Sequence, residues 1–359
     1  MKAAILEAFG SPLVAGTLPD STLGTGEVIV DVVATAVLPY ASEVFSGERR
    51  YLLPLPVAPG CGAVGRVRAL GPDATRLSVG DWVFCDPTVR SRGDVLAPDI
   101  TLQGWSARGE GGQRLQRHFR HGPFAGQMLV PTENAVPIGP IDEADAGRWC
   151  VMGLLLVPYG GLFAAQVKAG ETVLVNGATG NFGSAAVAVA LAMGAGCVIA
   201  PGRNQAVLEE LKRRFGPRVR TVTLNGDELE DRARMQGAAP GPIDCVIDLL
   251  PPSAGTTPVR AAAMTVRQGG RVVLIGGVGM LGGDDLALPY PWIMRNCIRI
   301  IGQWMYPPEA NVRTVQLVRS GLLDLSQWEI TEFDLAQANE AVAHAAAFGG
   351  PFRASVIRP

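Results

Sequence analysis

The 359-residue sequence is short of charge. Only 18% of its residues are Asp, Glu, Lys or Arg, against roughly 25% in an ordinary soluble protein. With 48% hydrophobic residues, that argues against a disordered or coiled-coil chain and for a large buried core. Neither sign of charge dominates. A net charge of −2 and a pI near 6.0 give no general pull on nucleic acid or anionic lipid. The run Lys212-Arg213-Arg214 reads as a solvated helix face. No C-x-x-C pair occurs among Cys61, Cys85, Cys150, Cys197, Cys245 and Cys297. A chain this long needs no disulfide staples, so these read as mostly buried thiols in a reducing, cytoplasmic setting. The first residues reach Glu7 and Pro12 too early for the apolar stretch of a signal peptide. Uncharged runs at 151–167 and 184–202 contain Gly or Pro and read as buried α/β segments, not membrane spans. There is no Gly-x-Ser-x-Gly turn, no evident pair of catalytic carboxylates, no internal repeat and no low-complexity linker, which gives hydrolase readings little weight.

Residues 1–145 read as mostly β. Short β-branched or alternating runs at 27–33, 65–70 and 81–84 lie between Gly and Pro punctuation, the pattern of an antiparallel barrel. Residues 90–122 are Gly- and Arg-rich with little periodicity and read as a long loop, functional or mobile. Strand-like sequence returns at 124–136. From about 145 the pattern alternates: strands at 172–175, 197–200, 220–224, 245–249 and 271–275, with helices at 184–193 and 205–215 among the intervening segments. This predicts a parallel sheet covered on both faces. Beyond 289, a strand at 298–301, a helix at 335–347 and a strand at 355–357 are expected.

The chemistry starts at Gly177-Ala178-Thr179-Gly180-Asn181-Phe182-Gly183. It lies between a buried strand and an apolar helix, where a dinucleotide's pyrophosphate meets a helix N-terminus. Gly180 admits the phosphates, Gly183 lets helix and strand pack closely, and Gly177 supplies the turn that Ala178 does not. The alternative is a glycine turn serving another ligand. About 20 residues on, where an acid would hold two ribose hydroxyls, the sequence reads Gly202-Arg203-Asn204. A small residue and a guanidinium suit a 2′-phosphate, so NADP(H) is expected over NAD(H), unless Arg203 merely opens a solvated helix. Gly276-Gly277-Val278 is either the floor under the nicotinamide or a plain strand-end turn.

These residues and their flanks resemble the medium-chain dehydrogenase/reductase superfamily over nearly the whole chain. The likeness runs through Met1-Lys2-Ala3, the stretch from Gly60 to Gly80-Asp81-Trp82-Val83, Gly122-Pro123-Phe124-Ala125, Leu129-Val130-Pro131, Gly170 to Val175 and Ala338-Asn339-Glu340-Ala341. It implies an α/β fold in which a Rossmann doubly wound parallel sheet (146–290) is inserted in a GroES-like β-barrel catalytic domain (1–145 plus 291–359). It also implies a homodimer or homotetramer pairing through a strand near 297–303. Where zinc members carry ligands, this chain has Leu38, Cys61 and Leu156 or Val157, and residues 86–122 hold no cysteine for a structural zinc. Leucine and valine cannot bind metal, so no metal site is expected. The resemblance narrows to zinc-independent quinone oxidoreductases and enone reductases, although the Asn common in that branch is absent around Leu38-Pro39-Tyr40.

Tyr40 takes the place of the family's hydroxyl proton relay and is a candidate acid; its bland reading is a cleft-lining aromatic. Ser42 is a weaker candidate, otherwise a turn or cap hydroxyl. His118 and His121, with Arg117 and Arg120, either recognise an anionic acceptor or are solvated. Trp105, Tyr159, Trp304 and Tyr306 are candidates for an aromatic wall, and His344 reads as structural. The expected function is NADPH-dependent, zinc-independent hydride transfer to a small-molecule quinone or α,β-unsaturated carbonyl. Alcohol/carbonyl oxidoreduction and a non-catalytic NADPH-binding regulator are the alternatives.

Overall fold

The computed structural model describes residues 1–94 and 96–359; Val95, inside the expected 90–122 loop, lies outside the described residues. The chain divides into two compact units. The first comprises Met1–Gly153, Leu325–Gly349 and Arg353–Pro359; the second comprises Leu154–Asp324 and Gly350–Phe352.

The first unit is organised by Glu27–Val37, a long strand rich in Val and Ile and buried along most of its length. Ala63–Leu70 and Gln127–Pro131 pair antiparallel with it, and Trp82–Cys85 and Ala135–Pro137 extend the sheet beyond Ala63–Leu70. On its other side lie Arg353–Arg358 and then Glu329–Asp334, parallel to each other. Period-2 alternation separates inside from outside: Ala63 and Val67 are buried in the core while Arg66 and Arg68 face out. Val28, Val30, Val32, Val83, Met128 and Val130 form the core. A GroES-like domain is thus present.

The 90–122 region corrects the expectation of an unstructured loop. Strands Thr88–Arg90, Ile100–Leu102 and Ser106–Arg108 form a small antiparallel sheet, and Gly109–His118 is a helix packed on it. That helix buries Gly111, Gly112 and Gln116, so it has no apolar stripe for sequence periodicity to reveal.

The second unit carries a six-stranded parallel sheet in the order Val219–Thr223, Cys197–Gly202, Thr172–Asn176, Ile243–Asp248, Val266–Leu274, Arg299–Gly302. This is the doubly wound order that reverses direction between the first and fourth strands. The C-terminal boundary of the unit falls at 324, not 290. Arg299–Gly302 completes the nucleotide sheet as its edge strand, and helix Glu309–Arg319 follows it.

By length and composition one helical stretch, Glu143–Ala164, could cross a membrane; 78% of its apolar window is buried. The second uncharged run holds the buried helix Asn181–Ala192 and strand Cys197–Gly202.

Candidate functional site

Strand Thr172–Asn176 is buried throughout and delivers the chain to Gly177 at φ +91°, a left-handed conformation that favours glycine. The Gly180 amide donates to the Gly177 carbonyl at 2.9 Å. Gly180 is then the N-cap of helix Asn181–Ala192, in extended conformation and with no side-chain cap. A Cβ on Gly183 would stand 1.9 Å from the Gly177 oxygen, so no larger residue fits without moving the turn. The outcome is an uncapped helix N-terminus closely packed on the first strand, a ready anion site.

A cavity of about 510 Å³ opens beside this turn, lined in part by Thr179, Gly180, Gly202 and Arg203. These four predicted residues are therefore brought together. Gly202 is buried, and a Cβ there would meet Thr179 Cγ2 at 2.3 Å. The other predicted residues take different places. Asn181 donates from Nδ2 to the Gly350 carbonyl at 2.9 Å. Phe182 is half-buried on the first turn of its helix, and Asn204 caps the next helix by accepting from the Val207 amide at 3.3 Å. Gly276 and Gly277 donate backbone bonds to the carbonyls of Asp248 and Leu250. A Cβ on either would come within 2.7 Å of the segment after the fourth strand. With Val278 they form a half-buried turn after the fifth strand.

The cavity also contains two acids that sequence reasoning missed, Glu228 and Asp231. Both are engaged. Glu228 accepts from Arg232 at 2.7 Å and Arg260 at 3.1 Å, and Asp231 accepts from the amides of Asn225 and Gly226. Arg203 is exposed and forms none of these pairs.

In the first unit, Tyr40 is the N-cap residue of the short helix Ala41–Phe45, and half-buried Ser42 is that helix's second residue. The Tyr40 ring lies 5.7 Å from Trp105, edge-on, and 4.5 Å beneath the Arg49 guanidinium. Arg49 is fixed by Glu43 at 2.7 Å. Burial, then the neighbouring Tyr51 and Cys61, push the Tyr40 phenol well above the ordinary tyrosine range. Tyr51 is raised too, mainly by burial. Tyr40 is therefore a firmly neutral hydrogen-bond donor rather than a ready acid. Arg49 and Tyr51 were not singled out from the sequence, because helix or strand periodicity does not mark them.

The zinc positions do not fit a metal. Leu38 and Leu156 are buried apolar side chains. Burial pushes the Cys61 and Cys150 thiols up to about 12, so in the metal-free chain both stay protonated. Among the described residues no group of three or more His, Cys, Asp or Glu could hold an ion.

The remaining polar candidates serve the scaffold. His118 Nε2 meets the buried Glu27 carboxylate. His121 Nδ1 accepts from the Ala58 amide at 3.2 Å, and Arg120 donates to the carbonyls of Leu55 and Pro56. Arg117 is exposed on the helix ending at His118. His344 bonds Ser355 at 2.9 Å. Of the aromatics, Trp105 belongs to the first unit; Tyr159, which stacks on Phe163, belongs to the second, as do Trp304 and Tyr306.

Residues 24–140 match the alcohol dehydrogenase GroES-like domain family, and residues 182–320 match the zinc-binding dehydrogenase family. An acryloyl-coenzyme A reductase from Metallosphaera sedula is 29% identical over 313 residues, 84% of each chain. A sorbitol dehydrogenase from Bacillus subtilis is 25% identical over 351 residues, 92% of this chain and 90% of that one. Among solved structures, the alcohol dehydrogenase of Thermus sp. ATN1 superposes with TM-score 0.80 at 20% identity, covering 100% of this chain and 99% of that one. Two family models in tandem, matching folds and oxidoreductase relatives agree with the nucleotide turn: the chain is an oxidoreductase of the medium-chain dehydrogenase/reductase superfamily, with a Rossmann unit for NAD or NADP.

Proposed function

We propose that the chain is an NADPH-dependent, zinc-independent reductase of quinones or α,β-unsaturated carbonyl compounds. The observation that carries this reading is the end of the second sheet strand. There the side chain-free Gly202 and the unpaired, exposed Arg203 line the cavity, while both nearby acids are already bonded. Arg203 suits a 2′-phosphate, and among the described residues neither acid lining the cavity is free for a ribose diol.

When bound, NADPH supplies a hydride from C4 of its nicotinamide. The amides after Gly180 hold the pyrophosphate, and Gly183 keeps their helix close to the strand. With apolar side chains at two of the zinc positions, the acceptor must itself delocalise the arriving charge, as a conjugated carbonyl or quinone does. Tyr40, kept neutral by burial, donates a hydrogen bond to the acceptor oxygen, and Ser42 is the second hydroxyl on the same short helix. The relative named as an acryloyl-coenzyme A reductase acts on a conjugated acyl group, which favours this reading over alcohol oxidation. The sorbitol dehydrogenase relative favours the alternative.

Paired NADPH and NADH titrations, an acceptor screen in metal-free buffer and metal analysis test the proposal. It predicts tighter NADPH binding, turnover with enones or quinones, and no loss of rate after chelation. A preference for NADH overturns the cofactor assignment. Stoichiometric zinc required for turnover overturns the metal assignment. NADPH binding without turnover across the panel supports the non-catalytic alternative.

A further inference from the structure

Asp248 ends the fourth strand of the nucleotide sheet and is 3% exposed. Its Oδ1 accepts from Asn176 Nδ2 at 2.7 Å, at the end of the first strand. The same amide also donates to the Pro258 carbonyl at 3.3 Å. The Asp248 carbonyl accepts the amides of Ile275 at 3.2 Å and Gly276 at 2.9 Å, just after the fifth strand. A Cβ on Gly276 would stand 2.7 Å from Asp248 Oδ2. One aspartate thus ties together three strand ends at the edge where open parallel sheets bind ligands. Asn176 and Leu250 line the cavity, and both donate hydrogen bonds to the Asp248 carboxylate, which stands one residue behind the wall.

We propose that Asp248 is a proton-linked positioning residue: its carboxyl takes up a solvent proton when the anionic dinucleotide occupies the cavity. The inference rests on the reading of that cavity as a dinucleotide site. Burial already holds the Asp248 carboxyl up at about 6, against the pull of the Asn176 and Leu250 hydrogen bonds. No charged side chain adds to that shift. The charged groups of the cavity are Arg203, Glu228 and Asp231, and the two acids are bonded elsewhere. An arriving pyrophosphate brings negative charge and excludes water, and both effects favour the protonated carboxyl. A rise of about one pKa unit corresponds to about tenfold in affinity across the titration. Binding therefore tightens as pH falls from 8 through 6.

Calorimetric titration of the full chain at pH 6.5, in two buffers of different ionisation enthalpy, counts the protons. NADPH and ADP-ribose are the probes; ADP-ribose lacks the 2′-phosphate that titrates by itself. The expected result is uptake of a few tenths of a proton with ADP-ribose, and with NADPH a difference of that size between wild type and Asp248→Asn. Asp248→Asn, which keeps an acceptor for Asn176, binds with that uptake abolished. Asn176→Ala removes a bond that favours the ionised form, so its uptake peaks at higher pH. This second variant keeps the test open where Asp248→Asn fails to fold. Equal uptake in wild type and Asp248→Asn, or proton release on ADP-ribose binding, overturns the proposal alone. Failure of both probes to bind overturns the dinucleotide reading and the proposal with it.

Discussion

The carbonyl oxygen of Gly177 occupies the space that a Cβ on Gly183 would need, at 1.9 Å. The two ends of the nucleotide turn therefore specify each other. Gly183→Ala forces the helix off the strand, at a cost of about 1–3 kcal/mol for overpacking. It also displaces the amides that face the pyrophosphate. Denaturant unfolding and NADPH titration should both register the change. Wild-type values in both would mean that the turn relaxes without consequence.

Arg203→Ala should weaken NADPH binding by roughly 10–100-fold, the worth of a hydrogen-bonded charge of about 1.5–3 kcal/mol. NADH binding should stay unchanged. Equal weakening of both nucleotides would assign Arg203 to something other than the 2′-phosphate.

Tyr40→Phe should lower kcat/KM for the acceptor by roughly 10²–10³-fold, as for loss of one preorganised donor, with little effect on the NADPH Kd. Because burial raises the phenol pKa on folding, wild-type activity should show no limb from Tyr40 below pH 10. The sign for stability follows. The unfolded tyrosine ionises near 10 while the folded one stays neutral, so stability declines as pH rises above 10. Tyr40→Phe should flatten that decline. Undiminished turnover in the variant would remove Tyr40 from the chemistry.

Arg271 and Glu171 form a buried pair at 2.5 Å, with side chains 5% and 14% exposed. Glu171 immediately precedes the first sheet strand, away from the nucleotide edge. Arg271→Ala leaves the part-buried carboxylate with no cation, held only by the Lys168 amide at 3.0 Å, which costs up to about 3–5 kcal/mol. The double variant Arg271→Met with Glu171→Leu should recover much of that loss. Thermal unfolding of the three proteins decides, and additive losses would argue against a coupled pair.

Arg299–Gly302 is a sheet edge with Ile300 38% exposed, and Tyr290, Met294 and Trp304 are exposed in the flanking sequence. An unpaired apolar edge invites strand pairing, so we expect a homodimer joined there, alone or within a tetramer. Light scattering should give a dimer or larger for the wild type and half that mass for Ile300→Lys. A wild-type monomer at working concentration would refute the pairing.

The nucleotide half was legible because its signals are local. A β-branched strand, a glycine turn and an alanine-rich helix sit next to one another in sequence, and helix 205–215 was read at its observed ends. The helix from Asn181 was placed three residues late because its first turn, Asn181-Phe182-Gly183, carries weak helix formers. Glu329–Asp334 and Gly109–His118 escaped for a different reason. The strand alternates between half-exposed and exposed residues, with no buried apolar face. The helix buries glycine and glutamine. Glu228 and Asp231 join the cavity from one helix and Asp248 backs its wall from a strand end, all distant in sequence from the glycine turn, so only the folded sheet shows that the first two are spoken for. Arg49 carries no periodic signal in sequence, and only the fold sets its guanidinium over the Tyr40 ring.

The three residues Gly350–Phe352 belong to the nucleotide unit, although the chain on either side of them belongs to the other. There Phe352 is buried, packs 5.8 Å from Phe215 and lies 4.3 Å beneath the Arg214 guanidinium, while the Gly350 carbonyl receives the Asn181 amide. A nonsense codon after Gly349 would therefore injure both halves at once. It would delete a barrel strand and also remove the residues that brace Asn181 and the helix ending at Phe215. Fragments meant to isolate the cofactor half need those three residues supplied in trans or grafted on, since excising 154–324 alone leaves that brace behind.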